Sequence, residues 1–261
     1  MTIERRTLDG GGHVLVDAAI EGDGFMVAFT ERDGGASTGP YESLNLSFTA
    51  GDDRGAVERN RAAVSAALGV DAFATAEQVH GAKIVRVGAK RAGAGYRDPA
   101  DRIPGADGMA TTSAGVALAV LTADCVPIVA AGPKSGLLVV AHVGWRGLAA
   151  RMVSTAAGWF EDPKDVRVAL GPAIGPDHYE VGEDVALAVA SGTDAGAVTE
   201  RRGDRTFLDL VGTIRAELRA FGIRHVEDTG LCTMCQQGRF FSYRRDEVTG
   251  RQAAVAVKLA T

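Results

Sequence analysis

Cysteine is scarce: three in 261 residues, an odd count too small for a disulfide framework and suited to a reducing compartment. A basic excess is missing as well, since 28 Lys and Arg face 33 Asp and Glu for a net charge of −5. That balance offers no electrostatic footprint for nucleic acid or an anionic membrane. Long apolar runs are absent, with nothing near the roughly 18 residues of a spanning helix. The opening "MTIERRTLDGGGHVLVD" is charged and has no apolar stretch of the kind a secretory signal carries. The expectation is a soluble cytoplasmic protein that engages neither nucleic acid nor membrane.

What the sequence does hold is an ordinary globular share of apolar residues, 46%, with 34 glycines to make turns. Neither a fixed-period repeat nor a linker divides it, so one domain over residues 1–261 is expected. "DDRGAVERNRAAVSAALG" reads as a helix, with Val57, Arg61, Val64 and Leu68 at helical spacing, an Asp cap and Gly69 as the stop. Further helices are expected over 148–160, at "EDVALAVASG", and at "TFLDLVGTIRAELRAFG" with Val211, Ile214, Leu218 and Phe221 on one face. Strands are expected at "GFMVAFTE", "AKIVRVG", "GVALAVLTA", "VPIVAAG", "GLLVVAHVG", "VRVALG" and "FFSYRRD". Several are apolar throughout, as strands covered on both faces are. The pattern is no clean βαβ alternation, and a layered α+β fold follows. Residues 88–108 read as a long excursion loop.

"AVLTADCVPIVAAG" sets an acid and a thiol, Asp124 and Cys125, between two apolar runs. An unpaired carboxylate buried there would cost several kcal/mol, so Asp124 needs a partner. His80 in "EQVHGAKIVRV" and His142 in "GLLVVAHVGWRGLAARM" also sit where strands meet glycine turns. With Cys125 they make a possible zinc set whose open fourth position would acidify a water. The gaps of 45 and 17 residues match no local zinc signature. Cys125 and His142 are equally readable as core residues, or as a nucleophile and its base. Arg146, at the start of a helix, marks an anion site or an ion pair with Asp124 or Asp107. Asn45 lies in a polar turn-rich stretch. Arg244 and Arg245 are available to an anionic ligand or an internal salt bridge. Cys232 and Cys235 form a Cys-x-x-Cys, half of a zinc site with no second pair. His178 reads as a surface-turn histidine, with Glu180 and Glu183 near it.

The segments "STGPYESLNLSFTAGDD", "VERNR", "EQVHGAKI", "ADGMATT", "LTADCVPI", "AHVGWRG", "LGPAIGPDHYEVGEDV" and "FFSYRRD", in this order over roughly residues 25–246, resemble the laccase-domain family, also called multicopper polyphenol oxidase or peptidoglycan editing factor proteins. Val143 stands where the family commonly has Ala, and "CTMCQQGRFF" departs from the family's usual acidic stretch. The resemblance implies a four-layer sandwich with two mixed β-sheets between helices. It also implies a zinc ion held by His80, Cys125 and His142, which would be the catalytic centre. Asp124 is then expected to orient a neighbouring His or Arg in support of the centre.

Three activities are implied. The first is phosphorolysis of adenosine, inosine, guanosine and methylthioadenosine, together with adenosine deamination. Its partners would be a purine nucleoside and phosphate, the latter held by Asn45, Arg61, Arg146 and Arg244. The second is copper-dependent phenol oxidation; copper in one His₂Cys site is chemically possible, but several coppers need many more imidazoles than five. The third is hydrolytic editing of a muramyl precursor, with Cys125 as nucleophile. The nucleoside reading is the expectation, for a monomer or homodimer.

Overall fold

In the computed structural model, residues 3–9 and 11–260 are described; the other positions of the expected 1–261 domain lie outside them. In chain order they form β1 (Ile3–Thr7), β2 (His13–Asp17), α1 (Ala18–Gly22), β3 (Phe25–Thr30), α2 (Arg54–Ala67), β4 (Phe73–Thr75), β5 (Ile84–Arg86), β6 (Gly108–Thr111), β7 (Ala117–Thr122), β8 (Val126–Gly132) and β9 (Leu137–Val143). The second half adds α3 (Trp145–Ala149), α4 (Met152–Ala157), β10 (Arg167–Leu170), β11 (Glu180–Val181), α5 (Glu183–Gly192), β12 (Thr199–Arg202), β13 (Arg205–Leu208), α6 (Leu210–Ala220), β14 (His225–Asp228), α7 (Tyr243–Asp246) and β15 (Gln252–Lys258).

Period-two alternation sorts these strands into layers. In β15, Ala254 and Ala256 face one core while Val255 and Val257 face another. One sheet runs β1-β2-β3-β15-β7-β4 and a second β14-β10-β8-β9-β6-β5. Both are antiparallel at the centre with parallel pairs at their edges, β4 with β7, β5 with β6 and β10 with β14. Between the sheets, Val27, Phe29, Leu118 and Val120 meet Val129, Ala131, Leu138 and Val140. Val64 of α2 covers the outer face of the first sheet. Met152 and Val153 of α4, with Ile214 and Leu218 of α6, cover that of the second. Helix, sheet, sheet, helix is the expected four-layer α+β architecture, and each buried aliphatic in it contributes about 1.5–3 kcal/mol. A small sheet, β11-β13-β12, stands beside these layers.

Helix α2 begins and ends as its caps dictate. Asp53 accepts from Ala56 N at 2.8 Å, and Gly69, at φ 66°, turns the chain as Val70 N closes onto Ser65 O at 3.0 Å. Helix α6 starts under Asp209 in the same way.

Three local expectations need correction. The helix expected over 148–160 is two, because Arg151 takes a left-handed φ of 67° between α3 and α4. α5 packs tightly at the break: it ends at Gly192 so close to α3 that a Cβ there would lie 2.3 Å from Ala149 O. "FFSYRRD" is no strand; Ser242 caps the short α7 by accepting from Arg245 N. The two central-sheet partners of Phe25–Thr30, β2 and β15, were not expected. The alanine-rich "QAAVAVK" has low strand propensity by itself, and it is central only because β3 and β7 flank it.

Glu31, fully buried at the end of β3, accepts from Arg5 Nε (2.8 Å) and Arg239 Nε (2.9 Å), tying the N-terminal edge to the loop before α7. Burial alone would push this carboxyl up; the two guanidiniums outweigh it and hold the group below its ordinary value of 4.5. A depressed carboxyl stabilises the fold above its unfolded-state pKa, and that support disappears as pH falls through the lower folded value. Glu31→Gln is expected to cost about 2–4 kcal/mol at neutral pH, less than a wholly buried triad because both arginines are part-exposed. Its stability should also fall less steeply below pH ~4.5. Urea unfolding of both proteins across acid pH checks this.

Candidate metal centre and its cavity

Three turns at one end of the two sheets bring the donors together. Between β7 of one sheet and β8 of the other the chain crosses over in three residues, Ala123–Asp124–Cys125, with Asp124 at φ 96°. β8 pairs with β9 so that Val126 lies against Val143. One step further sets Cys125 against Gly144. His142 shares the face of Leu138 and Val140 and looks into the gap between the sheets from its end. His80 comes from the turn before β5, at φ 61°. The ligand atoms of His80, Cys125 and His142 all lie within 4.8 Å of one another, and the two imidazole centroids are 4.8 Å apart.

Asp107 holds this arrangement. Its carboxylate accepts from the main-chain N–H of Val79 (3.0 Å), His80 (2.8 Å) and Gly81 (2.7 Å), and its Oδ1 is 3.0 Å from His142 Nδ1. With Nδ1 so occupied, Nε2 is the nitrogen left for a ligand. Gln78 clamps the same turn to β7, donating to Leu121 O (2.7 Å) and accepting from Leu121 N (2.9 Å). These bonds account for left-handed conformations that Gln78 and His80 would otherwise avoid.

Gly144 is required by contact. A Cβ there would stand 2.6 Å from Cys125 Sγ and 3.8 Å from His80 Cδ2. Gly144→Ala is therefore expected to displace the thiol and weaken metal binding about tenfold or more while the fold survives. Zinc competition with a chelator, beside a thermal melt, checks both halves.

The donor set suits a divalent ion of intermediate softness. One His is exposed, the Cys half-buried and the other His buried, so three ligands close one side and leave the other open. Tetrahedral zinc would bring such donors to roughly 3.5 Å apart, a modest contraction. Before an ion binds, the charges set up a thiolate–imidazolium pair: the thiolate is ready to ligate, and an ion must displace the His142 proton. Burial disfavours a Cys125 thiolate, but His142 and His80 outweigh it and bring the thiol down to about 6. Burial likewise opposes a second proton on His142, but Cys125 and Asp107 raise the imidazole to about 9.

The centre lies in a cavity of about 510 Å³. Four guanidiniums line it, from Arg102, Arg146, Arg244 and Arg251, with Trp145, Tyr179 and Tyr243 among them. Arg146 stacks on Trp145 at 4.5 Å and Arg244 on Tyr179 at 4.8 Å. Burial raises the Tyr179 phenol to about 12, so it stays a hydrogen-bond donor.

Of the residues expected to hold phosphate, Arg146 and Arg244 reach this cavity, and Asn45 and Arg61 do not. Arg61 is buried in α2, donating to Leu46 O (2.8 Å), Gly95 O (2.8 Å) and Tyr96 O (3.0 Å). Burial lowers it to about 10, and its role is to pin the 88–108 excursion. Asn45 accepts from Ser47 N and Arg251 N (2.8 Å) and donates to Asp52, so it positions Arg251 and does not itself line the cavity. Asp124 orients an arginine, but through the main chain: it accepts from Arg244 N (2.7 Å) and from Thr233 Oγ1 (2.6 Å). It does not pair with Arg146, and the carboxylate on His142 is that of Asp107. His178 lies outside the cavity, beside Cys232 and Cys235. Glu180 is paired with Arg205.

Asp107, Gln78, Arg102, Tyr179, Tyr243 and Arg251 were not identified as site residues from sequence. The Gln of "EQVHG" and the Asp of "ADGM" were the signals present, but nothing local says where either side chain points.

Fold and centre together define a class. Residues 26–258 match the family model described as multi-copper polyphenol oxidoreductase laccase, and the chain belongs to that family. Among its relatives is the purine nucleoside phosphorylase YlmD of Geobacillus stearothermophilus, 37% identical over 88% of this chain and 89% of that one. A purine nucleoside phosphorylase of Deinococcus radiodurans is 40% identical over 87% of each. The crystal structure of YlmD from Geobacillus stearothermophilus superposes with a TM-score of 0.92, covering 97% of this chain and 98% of the other at 35% identity. Of the other described histidines, His13 pairs with Asp33, His225 lies exposed on the edge strand β14, and His178 lies beside Cys232 and Cys235. No helix among the described residues is long and apolar enough to cross a membrane.

Proposed function

We propose that this chain is a zinc-dependent purine nucleoside phosphorylase acting on adenosine, inosine, guanosine and methylthioadenosine, with adenosine deamination as a second activity. One observation carries the reading: a three-donor centre, open on one side, in a cavity of about 510 Å³ rimmed by arginines and aromatic rings. The names of the relatives support it. His80, Cys125 and His142 would hold the ion, which when bound supplies Lewis acidity at its open position.

The chain's own residues do the rest. Arg146, exposed at the rim, would grip phosphate together with Arg244, which spends one N–H on Glu180 O (3.0 Å) and keeps others, while Arg102 and Arg251 add positive potential. Trp145, Tyr179 and Tyr243 offer faces against which a purine can lie. Phosphorolysis forms a bond from a phosphate oxygen to C1′ as the C1′–N9 bond breaks, the electron pair leaving with the base. The proton lost by hydrogen phosphate ends on the purine, so the reaction balances without an outside acid. Arginines aimed at phosphate lower the barrier by holding the nucleophile in line with C1′.

The test is product analysis by chromatography. Zinc-loaded protein is given adenosine with and without phosphate. Adenine and ribose 1-phosphate formed only with phosphate would establish the phosphorylase, and inosine the deaminase. Adenosine returned untouched would sink the reading. The Cys125–His142 pair, with its lowered thiol and raised imidazole, favours a hydrolase acting on a muramyl precursor as the second reading. Polyphenol oxidation through several coppers is less well supported, since the two donor groups among the described residues hold three imidazoles between them.

A further inference from the structure

A second group of soft donors lies apart from the cavity, and no part of the proposed reaction uses it. His178, Cys232 and Cys235 have ligand atoms all within 4.8 Å of one another. The sequence shows only a Cys-x-x-Cys here, half of a metal site. The fold adds the third donor from 54 positions upstream of Cys232 (232 − 178). We propose that these three side chains bind a soft divalent cation, of which zinc is the type, at a site separate from His80, Cys125 and His142.

Both contributing turns are held by their own backbone. The Cys-x-x-Cys turn closes through Gln236 N to Cys232 O (3.2 Å), and Thr233 N donates to Ala173 O (3.0 Å). The opposing turn closes through His178 N to Gly175 O (3.1 Å). Across the gap Gly175 N donates to Cys232 Sγ at 3.2 Å, which fixes the sulfur between the two turns. An added Cβ on Gly175 would press on that sulfur at 3.3 Å. His178 Nε2 stands 3.0 Å from Cys235 Sγ, so the imidazole is turned toward the sulfurs rather than to solvent.

Two thiolates neutralise a dication, and one imidazole completes three of the four tetrahedral positions. Zinc requires donors roughly 3.5 Å apart, so closing on the ion is a small movement. Cys235 is exposed, which leaves the fourth position to water. A disulfide between the cysteines would explain neither the imidazole nor the Gly175 bond.

The ion would also tie two turns that back the cavity. Tyr179, next to His178, lines the cavity, and Thr233, next to Cys232, donates to Asp124 beside Cys125. The second site is thus a brace behind the first, with no part in bond-making.

The experiment is a metal and thiol count on reduced protein. Wild-type, Cys125→Ser and Cys232→Ser/Cys235→Ser proteins are stripped, loaded with excess zinc and desalted. About two zinc ions per chain are expected for the wild type and about one for each variant. In loaded Cys125→Ser protein, Cys232 and Cys235 should resist Ellman's reagent until a chelator is added. Cobalt in the same variant should show sulfur-to-metal charge-transfer absorption. His178→Ala, which keeps both cysteines, covers the case of a double variant that does not fold; it should hold the second zinc at least about tenfold more weakly. One zinc per wild-type chain that is lost in Cys125→Ser and kept in Cys232→Ser/Cys235→Ser would overturn the proposal. So would cysteines that react equally fast with and without zinc in the Cys125→Ser protein.

Discussion

Cys125→Ser is expected to bind zinc more than about 100-fold more weakly than the wild type at its centre, and to lose phosphorolysis of adenosine with it. The serine hydroxyl is nearly the same size, so the fold should hold. It stays protonated at neutral pH, whereas the thiol is brought down to about 6 by the imidazoles around it. The remaining donors, His80 and His142, leave two positions open in place of one. Chelator competition gives the affinity, and the chromatographic assay gives the activity. A Cys125→Ser protein that bound zinc normally yet made no adenine would favour the thiol as nucleophile and the hydrolase reading. Normal binding together with normal activity would remove Cys125 from the site.

Asp107→Asn should have the second-largest effect, through groups that never touch an ion. The carboxylate is fully buried and accepts four bonds: three from the main chain of Val79, His80 and Gly81, and one at His142 Nδ1. An amide of the same shape has one oxygen and turns its NH₂ toward donors. Each donor stranded in a buried place costs about 1–3 kcal/mol, and water can reach those of the exposed Val79 and His80. About 2–4 kcal/mol of stability is therefore expected to be lost. The left-handed turn at His80 loses its anchor and His142 its fixed tautomer, so zinc affinity should fall about 10–100-fold. Thermal unfolding with and without zinc separates the two losses. If stability fell but affinity did not, Asp107 would be a brace for the turn alone.

The two variants probe different kinds of information. Cys125, His80 and His142 stood out in the sequence because thiol and imidazole at strand ends are chemically distinctive. The family resemblance then joined segments that spacing could not. Asp107 did not stand out as a support for His142, because an Asp before a Gly is an ordinary turn residue. Its value comes from β6 lying beside β9 and from the turn at 79–81 folding over it. Arg61 and Asn45 show the converse. Both are polar residues in motif-rich stretches, and both proved to be internal fastenings. A guanidinium satisfies three carbonyls inside a protein as readily as it grips phosphate outside.

The sequence by itself determined the layered α+β class, the apolar strands that fill it, the caps of α2, and the residue types able to hold a metal. These are local properties: periodicity of side chains, the conformations Asp and Gly favour, and ligand chemistry are present in any short window. Only the tertiary structure decided that α3 and α4 are separate, that β15 is central, that Asp107 and not Asp124 meets His142, and that His178 joins Cys232 and Cys235. Each of these depends on segments far apart in the chain being brought within a few ångströms. Such contacts depend on the packing of whole layers, which no short window of sequence contains.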